Sequence, residues 1–257
     1  MIAALSFLFM GIILGLLGGG GAILTVPILV YLLKVPTASA TLLSLLIVGT
    51  SALLGAFFDR KNISIKNVLV FSIPSTIAVV LTRKLLLPII PEQLSLFSLN
   101  LPKNSFLLFL FASLMIFIAL KTLNTSKPSQ VKIDKKSTGV VKAGIIVGFL
   151  AGLLGAGGGF LIVPALNLGL GLPLSIAISH SQGIIAIQSL VGGLLSSKGE
   201  LSSYVDLLML SISMSIFGVI LGKLLSKKIP AAALKNIFAF FILIMGIAIF
   251  LIESLAI

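Results

Sequence analysis

The chain has 257 residues, 58% of them hydrophobic and only 9% charged, with a formal net charge of +12. A water-soluble domain carries charge on roughly a quarter of its residues, so that class is excluded; eight long apolar stretches, most near the ~20 residues a bilayer needs, point to a polytopic membrane protein. No cysteine, one histidine and six acidic residues leave no basis for disulfides, thiol catalysis or a protein-built metal cage, and no cofactor is expected.

The first apolar stretch, residues 3–34, is too long for a simple crossing and is divided by the glycines Gly18–Gly21. It begins without a basic region or a small-residue cleavage site, so no cleaved signal peptide is expected. Val35-Pro36 ends it, because a residue before proline avoids the helical region. Spans follow at 37–58, 67–82 and about 104–120, separated by a basic link (Asp59, Arg60, Lys61, Lys66) and a proline-bearing one (Pro88, Pro91, Pro102). Residues 121–142 carry six lysines (121, 127, 132, 135, 136, 142) and read as a soluble linker. Four more stretches follow at 143–172, 174–196, 203–225 and 231–254. The basic residues sit in links between spans, which is what membrane topology predicts, so the positive charge does not indicate nucleic acid.

The glycine break occurs twice. Gly15–Pro27 and Gly152–Pro164 lie 137 positions apart, and this offset matches 18 of the 47 pairs from Gly15–Lys61 to Gly152–Lys198. The expected organisation is therefore two homologous transmembrane halves, 1–120 and 143–257, around a cytoplasmic linker, 121–142. The expected fold class is all-α, with the first segment of each half broken by a glycine-rich loop. If the broken segments enter the membrane and return, Lys and Arg divide thirteen (Arg60, Lys61, Lys66, the linker six, Lys223, Lys227, Lys228, Lys235) to five (Lys34, Arg83, Lys84, Lys103, Lys198). If every stretch crosses once, the split is an undecided ten to eight. The positive-inside rule favours re-entry, which makes the halves inverted repeats.

Several residues could carry chemistry. Glycine costs a helix about 1 kcal/mol, and backbone freed inside lipid must be buried in protein or line a cavity. Gly18, Gly19, Gly20 and Gly21, with Thr25 behind them, and Gly155, Gly157, Gly158 and Gly159 are thus candidate anion donors. The simpler alternative is close helix packing. Ser44, Ser51 and Gly55 share one helix face, as do their repeat partners Ser181, Gln188 and Gly192. They could line a substrate path, or serve as interhelical glue. His180 is the one titratable side chain well inside an apolar span and the candidate for proton coupling; a plain hydrogen bond to a neighbour is the alternative. Lys84 and Lys223 stand at matching span ends and are expected to snorkel to the headgroups; attraction of an anion toward the mouth of the path is the alternative.

The repeated pattern Gly-x-x-Gly-x-Gly-Gly-Gly-x-x-x-x-Pro, a proline opening the next span, and a small-residue stretch ending in serine resemble the TauE/SafE family of sulfite exporters and related permeases. In the first half these are Gly18, Gly20, Gly21, Pro27, Pro36, Ala40 and Ser44; in the second, Gly155, Gly157, Gly158, Gly159, Pro164, Pro173, Ala177 and Ser181. The resemblance implies a multi-pass plasma-membrane transporter of small anions, often sulfur-containing ones. The chain departs from the family at Phe58-Asp59-Arg60, which lacks the usual histidine and glycine, and at Leu43 and His180, which replace a threonine.

The expected function is secondary transport of a sulfur oxyanion or organosulfonate; the alternatives are a passive anion channel or a permease for another small carboxylate. Expected partners are the anion, protons where transport is coupled to them, the bilayer, and, as one oligomeric option, a second copy of the chain. An intramembrane hydrolase using Ser179 or Ser181 with His180 is disfavoured, since neighbours on a helix point ~100° apart and no carboxylate is placed to orient the imidazole.

Overall fold

A computed structural model describes residues 2–86, 88–91, 93–96, 99–124, 137–154, 159–196 and 203–255. Helices carry the fold. Among the described residues six are long and apolar enough to cross a membrane: α3 (Thr37–Phe58), α4 (Ile65–Leu81), α5 (Lys103–Asn124), α8 (Leu174–Ser196), α9 (Val205–Ser226) and α10 (Ala231–Leu255). The glycine-broken stretches form pairs of shorter helices instead: α1 (Ile2–Leu17) with α2 (Gly21–Pro27), and α6 (Ser137–Leu154) with α7 (Gly159–Pro164). A short antiparallel hairpin, β1 (Gln93–Leu96) on β2 (Leu99–Pro102), lies between α4 and α5 and is the one strand pair among the described residues.

The local sequence explains these breaks. α1 ends where Gly18 takes a φ of 77°, a left-handed turn that costs glycine little. Gly21 then lies against the Met10 carbonyl and Leu14, and the segment after α2 meets α1 again, so α2 folds back along α1. Pro27 and Pro164 each lack the N–H of a regular turn, and each is followed by a π-helical turn, Ile28–Leu32 and Ala165–Gly169. Both turns stop at a left-handed residue, Lys34 (φ 54°) and Gly171 (φ 69°). A bond reaching back six residues spans each stop, Val35 N–H to Leu29 O at 2.9 Å and Leu172 N–H to Leu166 O at 3.0 Å. Pro36 and Pro173 then open α3 and α8. Each of these paired positions is 137 residues apart.

Helix packing follows the same pairing. α1 lies on α9 and α6 on α4, while α3 lies on α8 and α5 on α10. Small residues make the closest approaches. Gly11 and Gly15 face the Ser215 and Val219 carbonyls; Gly148 and Gly152 face those of Ser75 and Val79. Glycines 11 and 15 map onto 148 and 152 at the 137 offset, but residues 75 and 79 map onto 215 and 219 at an offset of 140. Gly55 meets Gln182 while Gly192 meets Leu45, so α3 and α8 run antiparallel. Phe7, Leu14, Phe160 and Phe238 are buried inside, whereas Phe9, Phe117, Ile244 and Leu251 are exposed. Such an apolar exterior suits lipid rather than water.

Candidate functional site

The two breaks meet. A Cβ on Gly19 would overlap the carbonyl of Gly159, and one on Gly18 would stand 2.5 Å from Ser181 Oγ. Only glycine allows this approach of α2 to α7 and of α1's end to α8. Gly20 lies beside Phe241. The Thr25 hydroxyl is buried and reaches the Gly21 carbonyl of its own helix at 3.4 Å. Gly155, Gly157 and Gly158 lie outside the described residues.

The polar stripe makes paired contacts. Ser44 Oγ donates to Thr41 O and Ser181 Oγ to Ile178 O, both at 2.7 Å, the same bond 137 residues apart. Ser51 Oγ lies 2.6 Å from Ser215 Oγ, joining α3 to α9. Gln188 Nε2 donates to Ser75 Oγ at 2.5 Å, joining α8 to α4. Gln182 donates to Leu14 O at 3.0 Å.

His180 is 5% exposed and held at both nitrogens. Its Nε2 accepts the Ser64 N–H at 3.2 Å, so Nδ1 carries the proton and donates to Ile176 O at 2.9 Å. The imidazole thus clasps the α3–α4 loop. Asp59 comes to Ser179 instead, accepting its hydroxyl at 2.7 Å, so no triad forms.

Lys223 corrects the snorkelling expectation. It is buried, and its Nζ lies 2.5 Å from Asp59 Oδ2. A lysine confined within a span is costly unless paired. Lys84, by contrast, is exposed. The 140 offset of α4 and α9 makes the structural counterpart of Lys223 not Lys84 but Arg83.

Arg83 leads to the cavity. Its walls are Leu45, Val79, Ala151 and Ile185 on the apolar side, with Arg83, Gln188, Ser189, Gly159 and Gly192 completing it. Three of the sequence-predicted residues, Gly159, Gln188 and Gly192, are brought together there. Ser44, Ser51, Ser181 and the first glycine break stand in the packing around it rather than in its walls. Arg83 is the wall residue that sequence reasoning passed over, as one of two basic residues at a span end. A guanidinium, a carboxamide and a hydroxyl around one small space within the helix bundle give donors for an oxyanion. Among the described residues no group of three or more His, Cys, Asp or Glu could hold a metal ion.

Relatives share this architecture's length. A probable membrane transporter protein of Haemophilus influenzae is 26% identical over 258 residues, covering 94% of each chain. The probable membrane transporter protein YunE of Bacillus subtilis is 24% identical over 262 residues, covering 93% of each. One from Xylella fastidiosa is 28% identical over 255 residues, covering 94% of this chain and 90% of the relative. No solved structure matches. The profile of the family described as sulfite exporter TauE/SafE matches residues 3–249, which takes in both glycine breaks, every residue lining the cavity, five of the six spans and most of the sixth, and the chain belongs to that family.

Proposed function

We propose that the protein is a secondary transporter of a small anion across the plasma membrane, and that the anion is a sulfur oxyanion or organosulfonate held in the Arg83 cavity. The observation that carries this is the cavity itself: one guanidinium with Gln188 and Ser189 beside the second glycine break. An anion entering a low-dielectric site keeps its stability only where donors replace its water. Guanidinium meets an oxyanion with two parallel N–H groups, which suits sulfite or a sulfonate and still releases it. Gly18, Gly19 and Gly159 set the close approach that shapes the space, and in this reading inverted repeats supply the motion.

The Asp59–Lys223 pair supports the inverted arrangement, because it places the α3–α4 loop and the end of α9 on one face. That is the face of thirteen basic residues, so the linker at 121–142 is cytoplasmic in this reading.

The experiment is uptake into proteoliposomes of labelled sulfite, sulfate, thiosulfate, methanesulfonate and acetate, with and without a pH gradient. Saturable uptake of one sulfur anion, falling at least about 30-fold in Arg83→Gln for loss of roughly 2 kcal/mol of charge-assisted binding, is the expected result. Uptake of none of the five, or uptake indifferent to Arg83→Gln, overturns the reading.

A further inference from the structure

The cavity has a counterpart at the opposite end of the bundle. The offsets that relate the two halves carry Leu45 onto Gln182, Gly192 onto Gly55, and Arg83 onto Lys223. At that second place the cation faces a carboxylate. Gln182 is fully buried and packs on Gly55, where a Cβ would come within 2.7 Å of its carboxamide. Lys223 is occupied by Asp59, and Ser179 Oγ donates to the same carboxylate oxygen. Asp59 itself corresponds to Ser196, so the carboxylate is present in one half only.

We propose that Lys223 and Ser179 form a second site for the transported anion, and that the Asp59 carboxylate fills it as a built-in anion while the site is closed. The inference rests on the transporter reading above. Asp59 makes the contacts a substrate oxyanion would make: one oxygen accepts from an ammonium and from a hydroxyl. Exchange of that carboxylate for a transported monoanion leaves the charge at Lys223 balanced throughout, so the buried ammonium is never left alone, the state that a protein interior penalises most. Gln182 is the side chain that must move to make room. It is poised to do so: its Nε2 holds Leu14 O, but its buried Oε1 accepts no hydrogen bond. A satisfied carboxamide would be a permanent plug; one with an idle acceptor gains a bond wherever the motion brings it a donor. The ligand class is an oxyanion small enough to replace a carboxylate, which fits sulfite, a small sulfonate or acetate and excludes cations and neutral solutes.

The test uses full-length protein in proteoliposomes with labelled sulfite, methanesulfonate and acetate, measuring equilibrium binding and uptake separately. Two variants keep the buried charge balanced: Asp59→Asn with Lys223→Gln, and the exchange Asp59→Lys with Lys223→Asp. Both are expected to bind the probe through Arg83 within about threefold of wild type while uptake falls at least about tenfold. Uptake within threefold of wild type in either overturns the proposal and leaves the pair a structural tie. Should the two variants fail to yield folded protein, Asp59→Asn alone decides. With Lys223 left to the probe, it binds two anions per chain where wild type binds one; a folded Asp59→Asn protein that still binds one overturns the proposal. Wild type that binds none of the three anions is a different failure: it removes the Arg83 anion-site reading, and this inference with it.

Discussion

Gly18 holds its positive φ while Ser181 Oγ and the Ile178 carbonyl crowd the space where a side chain would begin, at 2.5 and 3.0 Å. Two separate costs follow from adding a methyl group. The left-handed backbone costs an L-residue about 1–2 kcal/mol wherever it stands, and the steric overlap adds to it. Gly18→Ala is therefore expected to lower thermal stability in detergent by at least the backbone share. Ser181→Ala, which loses only a bond to its own helix, is expected to be near neutral alone. Combined with Gly18→Ala it should restore the part of the steric share that Ser181 Oγ contributes, leaving the Ile178 contacts and the backbone share. Equal melting of Gly18→Ala and wild type would show that the turn is not held as described. The same position illustrates what a sequence can reveal. The clustered glycines announce a break, since nothing else explains them in an apolar run. That Gly18 faces Ser181 could be guessed only from the repeat, because 163 residues separate them in the chain. Arg83 stayed hidden for a related reason. A basic residue at the end of an apolar run has the pattern of a snorkelling side chain, and burial depends on what packs over it. Pairing Lys84 with Lys223 matched like residues but was one position off, since α4 and α9 correspond at an offset of 140. Asp59 and Lys223, likewise, are 164 residues apart and meet only through the parallel packing of α3 and α9.

At the scale of elements, the first helix of each glycine-broken stretch is held by a glycine face. Gly144, Gly148 and Gly152 recur every four residues along α6 and let it settle onto the α4 backbone. In lipid there is no hydrophobic drive to press two helices together, so close van der Waals contact is the main source of their association. A Cβ on Gly148 would overlap the Ser75 carbonyl and stand 2.9 Å from Ala78 Cβ. Neither neighbour is the flexible tip of a long side chain, so α4 itself would have to shift. Because α4 carries Ser75 and Val79 and runs on into the π-helical turn Thr82–Leu86 that holds Arg83, displacement there moves one side of the cavity. Gly148→Val is expected to destabilise by about 1–3 kcal/mol and to weaken anion uptake as well. Gly169 provides the contrast, with no atom within 4 Å of a Cβ. Gly169→Ala should leave both properties nearly unchanged. Uptake equal in the two variants would separate the cavity from the α4–α6 contact. The spacing of these glycines was readable in the sequence, but as a small-residue face it named no partner. The partner came from the fold, where the first segment of each half lies on the third span of the other.

For the whole molecule the open question is direction, and the chain's lack of cysteine makes it tractable, because any single introduced cysteine reports alone. Two topologies fit eight apolar stretches. If each crosses once, residues 59–66 and 227–235 lie on opposite sides of the membrane. If the two broken stretches enter and return, they lie on the same side. The physical evidence bears on this choice directly: Asp59 pairs with Lys223, and the Ser64 N–H bonds His180 near the start of α8. These contacts gather the α3–α4 loop, the end of α9 and the start of α8 at one face, as re-entry requires. The antiparallel crossing of α3 and α8, equivalent helices of the two halves, agrees with halves inserted in opposite senses. Asn62, Gln93 and Lys228 are exposed and suit labelling with a membrane-impermeant maleimide on intact cells. With Asn62→Cys and Lys228→Cys protected in intact cells and labelled after permeabilisation, and Gln93→Cys labelled from outside, the basic face is cytoplasmic and the halves are inverted. Labelling that separates Asn62→Cys from Lys228→Cys would rule out re-entry, and with it the two-fold relation that carries the Arg83 cavity onto the Lys223 site.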